Sequence, residues 1–419
     1  MSAVPPATET DIPSAPSLSK VARGNLCAGC GACAALTSGK IEMVPMAPGY
    51  LRPAQNAPLS PTEDAAIASV CPGLGQTVAT AGRTDHVLWG PYVTMMSGFS
   101  THSDLRHAGA SGGALSAILL HLIESSTVDA VVQIAAAGDL PIGNATVVST
   151  EHDGILAGAG SRYAPSAPLA DLAAQLADHA ATGRRFALVG KPCDAAALRA
   201  LCDGDPLYAA AFPVILSFFC AGVPSLTGVE KILGALGTDL DSTASFRFRG
   251  NGWPGRATAV AYDGTVRSMS YHDSWGKILS KHVQHRCKIC ADGTGVAADI
   301  VCADAWESDA AGYPVFAEAD GISLIVARTA FGADLISGAQ SAGRLETTPF
   351  DITTLAAIQP GQRERRRALL ARLTALRLLG RPVPRYRGLH VAAAARQNPL
   401  ARNIKNFLGT LRRGLRRGA

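Results

Sequence analysis

Seven of the ten cysteines in this 419-residue chain have the spacing expected of iron–sulfur ligands. Two-residue gaps let consecutive thiolates converge on one cluster, while a Cys-Pro closes the cluster from a distance. Cys220 is an eighth candidate. The eight form a first cysteine set and a second cysteine set: Cys27, Cys30, Cys33 and Cys71, and Cys193, Cys220, Cys287 and Cys290. The other two are expected to pack in a helix and a strand: Cys202 and Cys302. This pattern predicts electron transfer.

The first cysteine set predicts a four-iron cluster rather than a zinc ion. Structural zinc sites normally pair two C-x-x-C knuckles. This set has three cysteines at one spacing and a later Cys71-Pro72, which is typical of a one-cluster ferredoxin unit. The intervening Gly29, Gly31 and Ala32 are small. Small residues let backbone amides point at the cluster sulfurs, which raises the reduction potential.

The second cysteine set is less specific, because a single cysteine at the end of an apolar strand is usually a core residue. Cys193 and Cys220 each follow a predicted strand, so one sheet edge would bring both sulfurs to the same crevice. Cys287 and Cys290 lie in a predicted loop, from which they could complete a four-thiolate site. On spacing alone, a second four-iron cluster, a zinc site and inert core thiols all stay open.

Two polar turns suit a nucleotide, although no G-x-G-x-x-G fingerprint is present. The first leads directly into a predicted helix, whose free amides and positive dipole end suit a phosphate or pyrophosphate; its candidate residues are Ser111, Gly112 and Gly113. The alternative is a simple helix cap. The second turn offers a hydroxyl, a cation and an aromatic face: Ser161, Arg162 and Tyr163. These groups suit a flavin nucleotide.

A glycine-rich loop carries further candidates for binding an anionic or planar ligand. They are Arg247, Arg249 and Trp253. Arginines and a tryptophan in such a loop favour a ligand, but stacking of Arg on Trp for structural reasons is an equal alternative. Four histidines could donate a proton to a substrate, and the sequence does not rank them: His107, His272, His282 and His285.

The composition predicts a soluble protein of the cytoplasm. With 47% hydrophobic and 17% charged residues, the chain has ample core for two or three domains. The longest apolar stretches are too short to span a membrane, and the chain does not start with a basic segment followed by an apolar one. Ten cysteines without a signal peptide favour metal binding in a reducing compartment over a disulfide framework.

The net charge of +5 is concentrated late in the chain, where nine arginines lie between residues 363 and 387. Ile404, Phe407, Leu408 and Leu411 recur at a helical spacing among further arginines, which predicts a short amphipathic basic helix. A solvated tail and contact with an acidic protein or an anionic lipid surface fit equally. No recognition motif or interleaved aromatic residue accompanies the charge, which argues against nucleic acid.

The fold class predicted is α/β, or α+β overall. Residues 1–20 predict a disordered tail, and residues 21–82 a small ferredoxin-like iron–sulfur domain organised by its metal. Residues 83–350 predict a helix-covered mixed sheet for the flavin and the second cluster, and residues 351–419 a basic helical C-terminal segment. Predicted helices cover 116–123, 169–179, 194–201, 226–236 and 330–343. Predicted strands cover 128–134, 145–148, 185–189, 214–219, 245–249, 257–262, 298–302 and 322–327.

Seven ordered motifs between about residue 24 and residue 330 resemble the beta-subunit family of coenzyme F420-reducing hydrogenases and dehydrogenases. They are the first cysteine set with its Cys71-Pro72, 110–113, 160–163, 190–193, 219–225, 246–255, and 287–290 followed by 298–299 and 304–306. Two departures are Arg162 in place of an expected lysine, and Ala303 where a glycine commonly precedes Asp304. Neither departure removes a metal ligand, but both leave the substrate open.

The resemblance implies FAD held in the α/β domain and one or two four-iron clusters that feed it electrons. It also implies that the second cysteine set ligates a cluster. Family members reduce the deazaflavin coenzyme, and relatives in phototrophs use reduced ferredoxin to reduce chlorophyll-type substrates.

The expected function is therefore electron transfer from a low-potential donor such as reduced ferredoxin, through the clusters to FAD and on to an organic acceptor. Clusters carry one electron and flavin one or two, and the basic surface would favour an acidic ferredoxin. The alternatives are a coenzyme F420-dependent subunit of a larger hydrogenase or dehydrogenase, and a non-catalytic iron–sulfur carrier or scaffold in, for instance, polysaccharide assembly. The oligomeric state stays open.

Overall fold

The structure is a computed structural model that describes residues 14–307, 309 and 315–416. Its strands are β1 Ile41–Met46, β2 Tyr50–Gln55, β3 Gly75–Thr77, β4 Thr84–His86, β5 Gly90–Tyr92, β6 Thr94–Ser100, β7 Ala130–Ala136, β8 Asn144–Ser149, β9 Phe186–Gly190, β10 Val214–Phe218, β11 Thr243–Arg247, β12 Arg256–Ala261, β13 Val266–Ser270, β14 Ile300–Asp304, β15 Ser323–Ala327, β16 Leu345–Pro349 and β17 Arg385–Arg387.

The α-helices are α1 Pro16–Gly24, α2 Ala32–Ala35, α3 Pro61–Val70, α4 Ser103–Ala108, α5 Ala114–Glu124, α6 His152–Ala157, α7 Leu172–Thr182, α8 Pro192–Gly204, α9 Pro206–Ala211, α10 Leu226–Ala235, α11 His285–Lys288, α12 Ala330–Ser341, α13 Ile352–Ile358, α14 Pro360–Leu378, α15 Val391–Arg396 and α16 Leu400–Arg416. A π-helical turn and a 3₁₀ turn follow β13: His272–Ile278 and Leu279–His282. Among the described residues, no helix combines the length and the apolar character needed to cross a bilayer.

An eight-stranded mixed sheet lies at the centre of the fold, in the order β16-β6-β15-β14-β10-β9-β7-β8. The central strands β14, β10, β9 and β7 are parallel, and the outer pairs are antiparallel. Every residue of β9 is buried, as expected of a parallel strand covered on both faces. The predicted α/β class with a helix-covered mixed sheet is confirmed.

Helices cover both faces of this sheet because alternate strand residues point to opposite sides. Phe186 and Leu188 join a core that α7, α8 and α9 cover. Ala187 and Val189 join a second core that α5 and α12 cover. A smaller antiparallel sheet, β11-β12-β13, packs its own core against α10. It carries the arginine-rich loop, which is the loop with Arg247, Arg249 and Trp253.

The strands and helices predicted between residues 116 and 343 are present, with ends shifted by a few residues. The prediction missed β6 and β16, whose polar and apolar residues do not alternate. Cys287 lies in the short helix α11 rather than in a loop. The helical C-terminal segment is confirmed, with the short strand β17 inside it.

The two ends of the described chain share a core. Strand β3 pairs in parallel with β17, and Val21 and Leu26 pack with Leu369 and Leu373 of α14. The predicted tail at residues 1–20 is wrong from Pro16 onward, because α1 begins there and buries apolar residues such as Val21. Residues 1–13 of that prediction lie outside the described residues. The segment after residue 350 is thus packed on the segment that carries the first cysteine set.

Candidate functional site

The first cysteine set lines one small cavity, together with apolar residues of α1 and α3. Cys71 caps the C-terminus of α3, Cys27 and Cys30 lie in the loop that leads into α2, and Cys33 lies on α2. Burial, followed by the nearby Cys27 and Cys71 charges, raises the pKa of the Cys33 thiol to about 12. Neighbouring thiols of this set raise one another's pKa values, because each thiolate repels the next. A cationic metal centre bound between them would cancel this repulsion.

The loop from Cys27 to Cys33 turns sharply through two glycines in the left-handed region, Gly29 at φ 81° and Gly31 at φ 91°. A Cβ on Gly31 would lie 2.6 Å from the backbone nitrogen of Ala170, so no larger residue fits there. The Gly29 amide donates to Cys27 Sγ at 3.3 Å. The amide-to-sulfur contact predicted from small residues is therefore present at Cys27.

The second cysteine set comes from the carboxyl ends of two central strands, from α11 and from the residues directly after α11. Cys193 follows β9 at the start of α8, and Cys220 follows the neighbouring parallel strand β10, so both lie at the carboxyl ends of the strands. The Cβ that Gly222 lacks would lie 3.2 Å from Cys287 Cβ, which places the turn after β10 against α11. Burial first, then the Cys287 charge, raises the pKa of Cys220 to about 12, and Cys290 raises it as well.

A buried ion pair, which the sequence analysis did not predict, lies beside Cys193. Lys191 Nζ is 2.7 Å from Asp194 Oδ2, and both side chains are buried. Lys191 Nζ also donates to Ser166 Oγ at 2.7 Å. Burial opposes the lysine charge, but Asp194 and the Cys193 thiol outweigh it and hold the pKa of Lys191 above its usual value. The pair places a buried lysine cation next to the second cysteine set, together with the carboxylate that balances its charge.

Gln284 and Arg286 connect the two cysteine sets. Gln284 Nε2 donates to Ala28 O at 3.3 Å and to Cys287 Sγ at 3.5 Å. Arg286 Nη2 donates to Pro72 O, next to Cys71, at 2.7 Å. The two sites are therefore joined by side chains that the sequence analysis did not select.

Arg286 is buried, with 3% of its surface exposed. Its Nε and Nη1 atoms have no hydrogen-bond partner within the described part of the chain. Burial opposes its charge, yet Tyr386 and thiols of the second cysteine set hold the pKa of Arg286 above its ordinary value. No signal in the sequence separates Arg286 from its neighbours, since Lys288, between Cys287 and Cys290, is exposed.

The three polar segments proposed for a nucleotide converge. Gly160 lies against the arginine-rich loop and the end of α4, since a Cβ on this residue would be 2.7 Å from Arg249 O and 3.3 Å from Ala108 O. The Gly252 amide donates to His107 O at 3.1 Å. The turn before α5, the turn at 158–163 and the arginine-rich loop therefore meet at one place, as a shared site requires.

Arg249 and Trp253 make hydrogen bonds to the protein itself. Arg249 Nη1 and Nη2 lie 3.1 Å and 2.8 Å from the two oxygens of Asp304, and Trp253 Nε1 donates to Asp304 Oδ1 at 2.8 Å. The Trp253 ring stacks on Trp306, with centroids 4.8 Å apart. Arg249 is also buried, and Asp304 holds its pKa high against the effect of burial. Both side chains thus have structural partners in Asp304 and Trp306, and ligand binding by them stays a prediction.

In the turn before α5, one of the amides predicted to be free has a partner within the protein. The Gly112 amide donates to Ser323 Oγ at 3.0 Å, and Ser111 Oγ lies 2.8 Å from the same hydroxyl. Gly113 caps α5 at φ 67°. Because Ser323 comes from β15, far along the chain, the sequence did not reveal that it satisfies this turn.

Arg162 and Arg247 lie beside each other at this meeting point and donate to backbone oxygens, Arg162 Nη2 to Gly143 O at 2.6 Å and Arg247 Nη1 to Ala159 O at 3.5 Å. Arg162 Nε donates to Asn144 Oδ1 at 2.6 Å, and neither arginine forms an ion pair among the described residues. Burial, then the neighbouring Arg247 charge, lowers the pKa of Arg162 to about 10. Two adjacent cations without a carboxylate suit a pyrophosphate. Ser161 and Tyr163 flank Arg162 in the sequence, and the Tyr163 ring packs against Trp275 with centroids 4.7 Å apart.

The four candidate proton donors are dispersed: His107 on α4, His272 in the π-helical turn, His282 in the 3₁₀ turn and His285 on α11.

A large open cavity lies between residues 77–84, α8 and Thr329, and none of the predicted site residues lines it. The thiol donors, rather than this opening, mark the candidate site, because they are the soft ligands that an iron–sulfur cluster requires.

Comparisons with known proteins identify the family that this chain matches. Residues 95–173 match the N-terminal part of the beta subunit in the family described as coenzyme F420 hydrogenase/dehydrogenase, and residues 183–353 match the C-terminal part of the same beta subunit. The chain is 27% identical over 270 residues to coenzyme F420 hydrogenase subunit beta of Methanococcus voltae, covering 63% of this chain and 86% of that protein.

A chain of the F420-reducing NiFe hydrogenase complex from Methanosarcina barkeri has a similar fold. Its TM-score is 0.53 at 22% sequence identity, and the match covers 70% of this chain and 96% of that chain. At this level of identity the likeness concerns the fold.

Proposed function

Because the chain belongs to the coenzyme F420 hydrogenase/dehydrogenase beta-subunit family, we propose that it is an electron-transfer subunit of an oxidoreductase of this type. Each cysteine set holds a four-iron cluster. The place where the three polar segments meet, beside Arg162 and Arg247, binds a flavin-type nucleotide, with FAD as the expected cofactor. The exposed arginines of the C-terminal segment, Arg377, Arg385 and Arg387, bind a low-potential donor such as an acidic ferredoxin or a partner subunit.

The observation that carries the proposal is the pairing of two four-thiol sites through Gln284 and Arg286. Soft thiolate donors on tight glycine turns fit iron–sulfur ligation. When bound, such clusters pass single electrons, and a flavin collects two of them for hydride transfer. Arg162 and Arg247 supply the positive charge that a dinucleotide pyrophosphate requires.

Two features favour a subunit of an assembly over a free-standing ferredoxin-fed reductase. The relatives are named as a hydrogenase subunit and as a hydrogenase complex. The two cysteine sets are joined within one fold, so electrons can enter at one site and leave at the other.

The test is electron transfer by anaerobically purified, dithionite-reduced protein to coenzyme F420 and to free flavin, followed by visible absorbance against a protein-free blank. Wild type is expected to reduce the acceptor, and Cys30→Ser and Cys220→Ser to lose this activity. Cys202→Ser is the matched control, because Cys202 lies in α8 outside both sets. Wild-type protein that contains iron and sulfide but reduces neither acceptor would reject the oxidoreductase and leave an electron carrier.

A further inference from the structure

The outward face of α16 is a row of exposed apolar side chains. Leu400, Ile404, Leu408 and Leu415 are 75%, 49%, 56% and 65% exposed. Their spacing places them on one side of a helix with 3.6 residues per turn. Single exposed apolar residues are ordinary, but a contiguous row marks an interaction surface.

Another face of the same helix attaches it to the protein. Thr410 and Gly414 are buried, and Arg381 Nη2 donates to Gly414 O at 3.1 Å. Arg402 Nη1 lies 3.0 Å from Glu364 Oε2 of α14. These contacts fix the orientation of α16 and leave the apolar row pointing outward.

The charge beside the apolar row is entirely positive. No Asp or Glu occurs in α16. Lys405 and Arg412 are exposed, and neither forms an ion pair within the described chain. A helix that carries leucines on one side and cations on the flank is typical of helices that lie in the membrane interface. A second copy of this chain would instead bring like charges together.

We propose that α16 binds the protein to an anionic membrane surface. The helix lies parallel to the membrane, with the apolar row in the acyl boundary and Lys405 and Arg412 among the headgroups. This attachment does not depend on the proposed redox function.

The experiment is sedimentation of full-length protein with phosphatidylcholine vesicles and with vesicles that also contain phosphatidylglycerol. Binding is expected only to the anionic vesicles and should weaken with salt. The pair Lys405→Gln and Arg412→Gln should lower affinity roughly fivefold for each cation removed. The pair Ile404→Gln and Leu408→Gln should lower it roughly tenfold or more.

Val266→Gln and Arg267→Gln on β13 are the matched controls, since Val266 is 64% exposed and Arg267 is also at the surface. They should bind as wild type does. Absence of binding to anionic vesicles, or equal losses in the controls, would overturn the proposal. A wild-type dimer by light scattering that Ile404→Gln converts to a monomer would overturn it in favour of a second copy.

Discussion

Among single residues, Arg286 is the buried cation that links the two cysteine sets, since it donates to Pro72 O beside Cys71 and directly precedes Cys287. Reduction adds negative charge to an iron–sulfur cluster, so a buried cation beside it favours the reduced state and raises the potential. Arg286→Gln should therefore shift the reduction potential of the proposed clusters downward, by about 59 mV for each tenfold change in a one-electron equilibrium.

An anaerobic redox titration followed by electron paramagnetic resonance measures this shift. Arg286→Lys is the control, because it keeps the charge and should shift the potential less. If the Gln variant holds its full iron content at an unchanged potential, Arg286 has only a packing role.

The Arg249–Asp304 pair gives a second expectation at this scale. Asp304→Ala leaves a buried guanidinium without its carboxylate, which should lower the free energy of unfolding by about 3 kcal/mol. Lys277→Ala breaks the exposed pair with Asp273 and should cost under about 1 kcal/mol. Urea unfolding followed by tryptophan fluorescence compares them, and equal losses would contradict the assignment.

The sequence predicted which cysteines group together, because strand ends and two-residue gaps define their positions. It did not predict the buried ion pair of Arg249, because the partner Asp304 lies at the end of β14, far along the chain. The Gly112 amide was expected to be free for the same reason, since Ser323 reaches it from a distant part of the chain.

At the scale of elements, α14 supports the loop of the first cysteine set. Leu373 is 2% exposed and packs in one cluster with Leu26, which precedes Cys27. Leu373→Ala should lower stability by about 3 kcal/mol and should release iron from the first cysteine set faster than wild type does, as measured by chelation over time.

Leu119→Ala is the matched control for this substitution. Leu119 is also 2% exposed but belongs to the core between the sheet and α5. It should cost similar stability without the selective loss of iron. Equal iron release from the two variants would show that α14 has no particular role at the cluster.

Elements with a single strong pattern were predictable. The continuous apolar runs of β9 and β10 identified buried strands directly. Helix α1 was missed because its short sequence is mostly small and polar, and only its packing against α3 and α14 reveals why Leu18 and Val21 are there.

For the whole molecule, the proposed cluster ligation would tie together parts of the chain that lie far apart. The first set uses residues 27–71, and the second set uses two strand ends and α11. The order of the main elements from α5 to α12 could be predicted from the sequence. The shared core of the two chain ends could not, because the β3–β17 pairing and the α14 contacts depend on the complete fold.

The count of iron and acid-labile sulfide in anaerobically reconstituted protein tests the central claim most directly. Wild type should contain about eight of each per chain, and Cys30→Ser and Cys287→Ser should each retain about four. A Cys287→Ser variant with the wild-type count, or wild-type protein that binds zinc without sulfide, would contradict the pairing of two clusters.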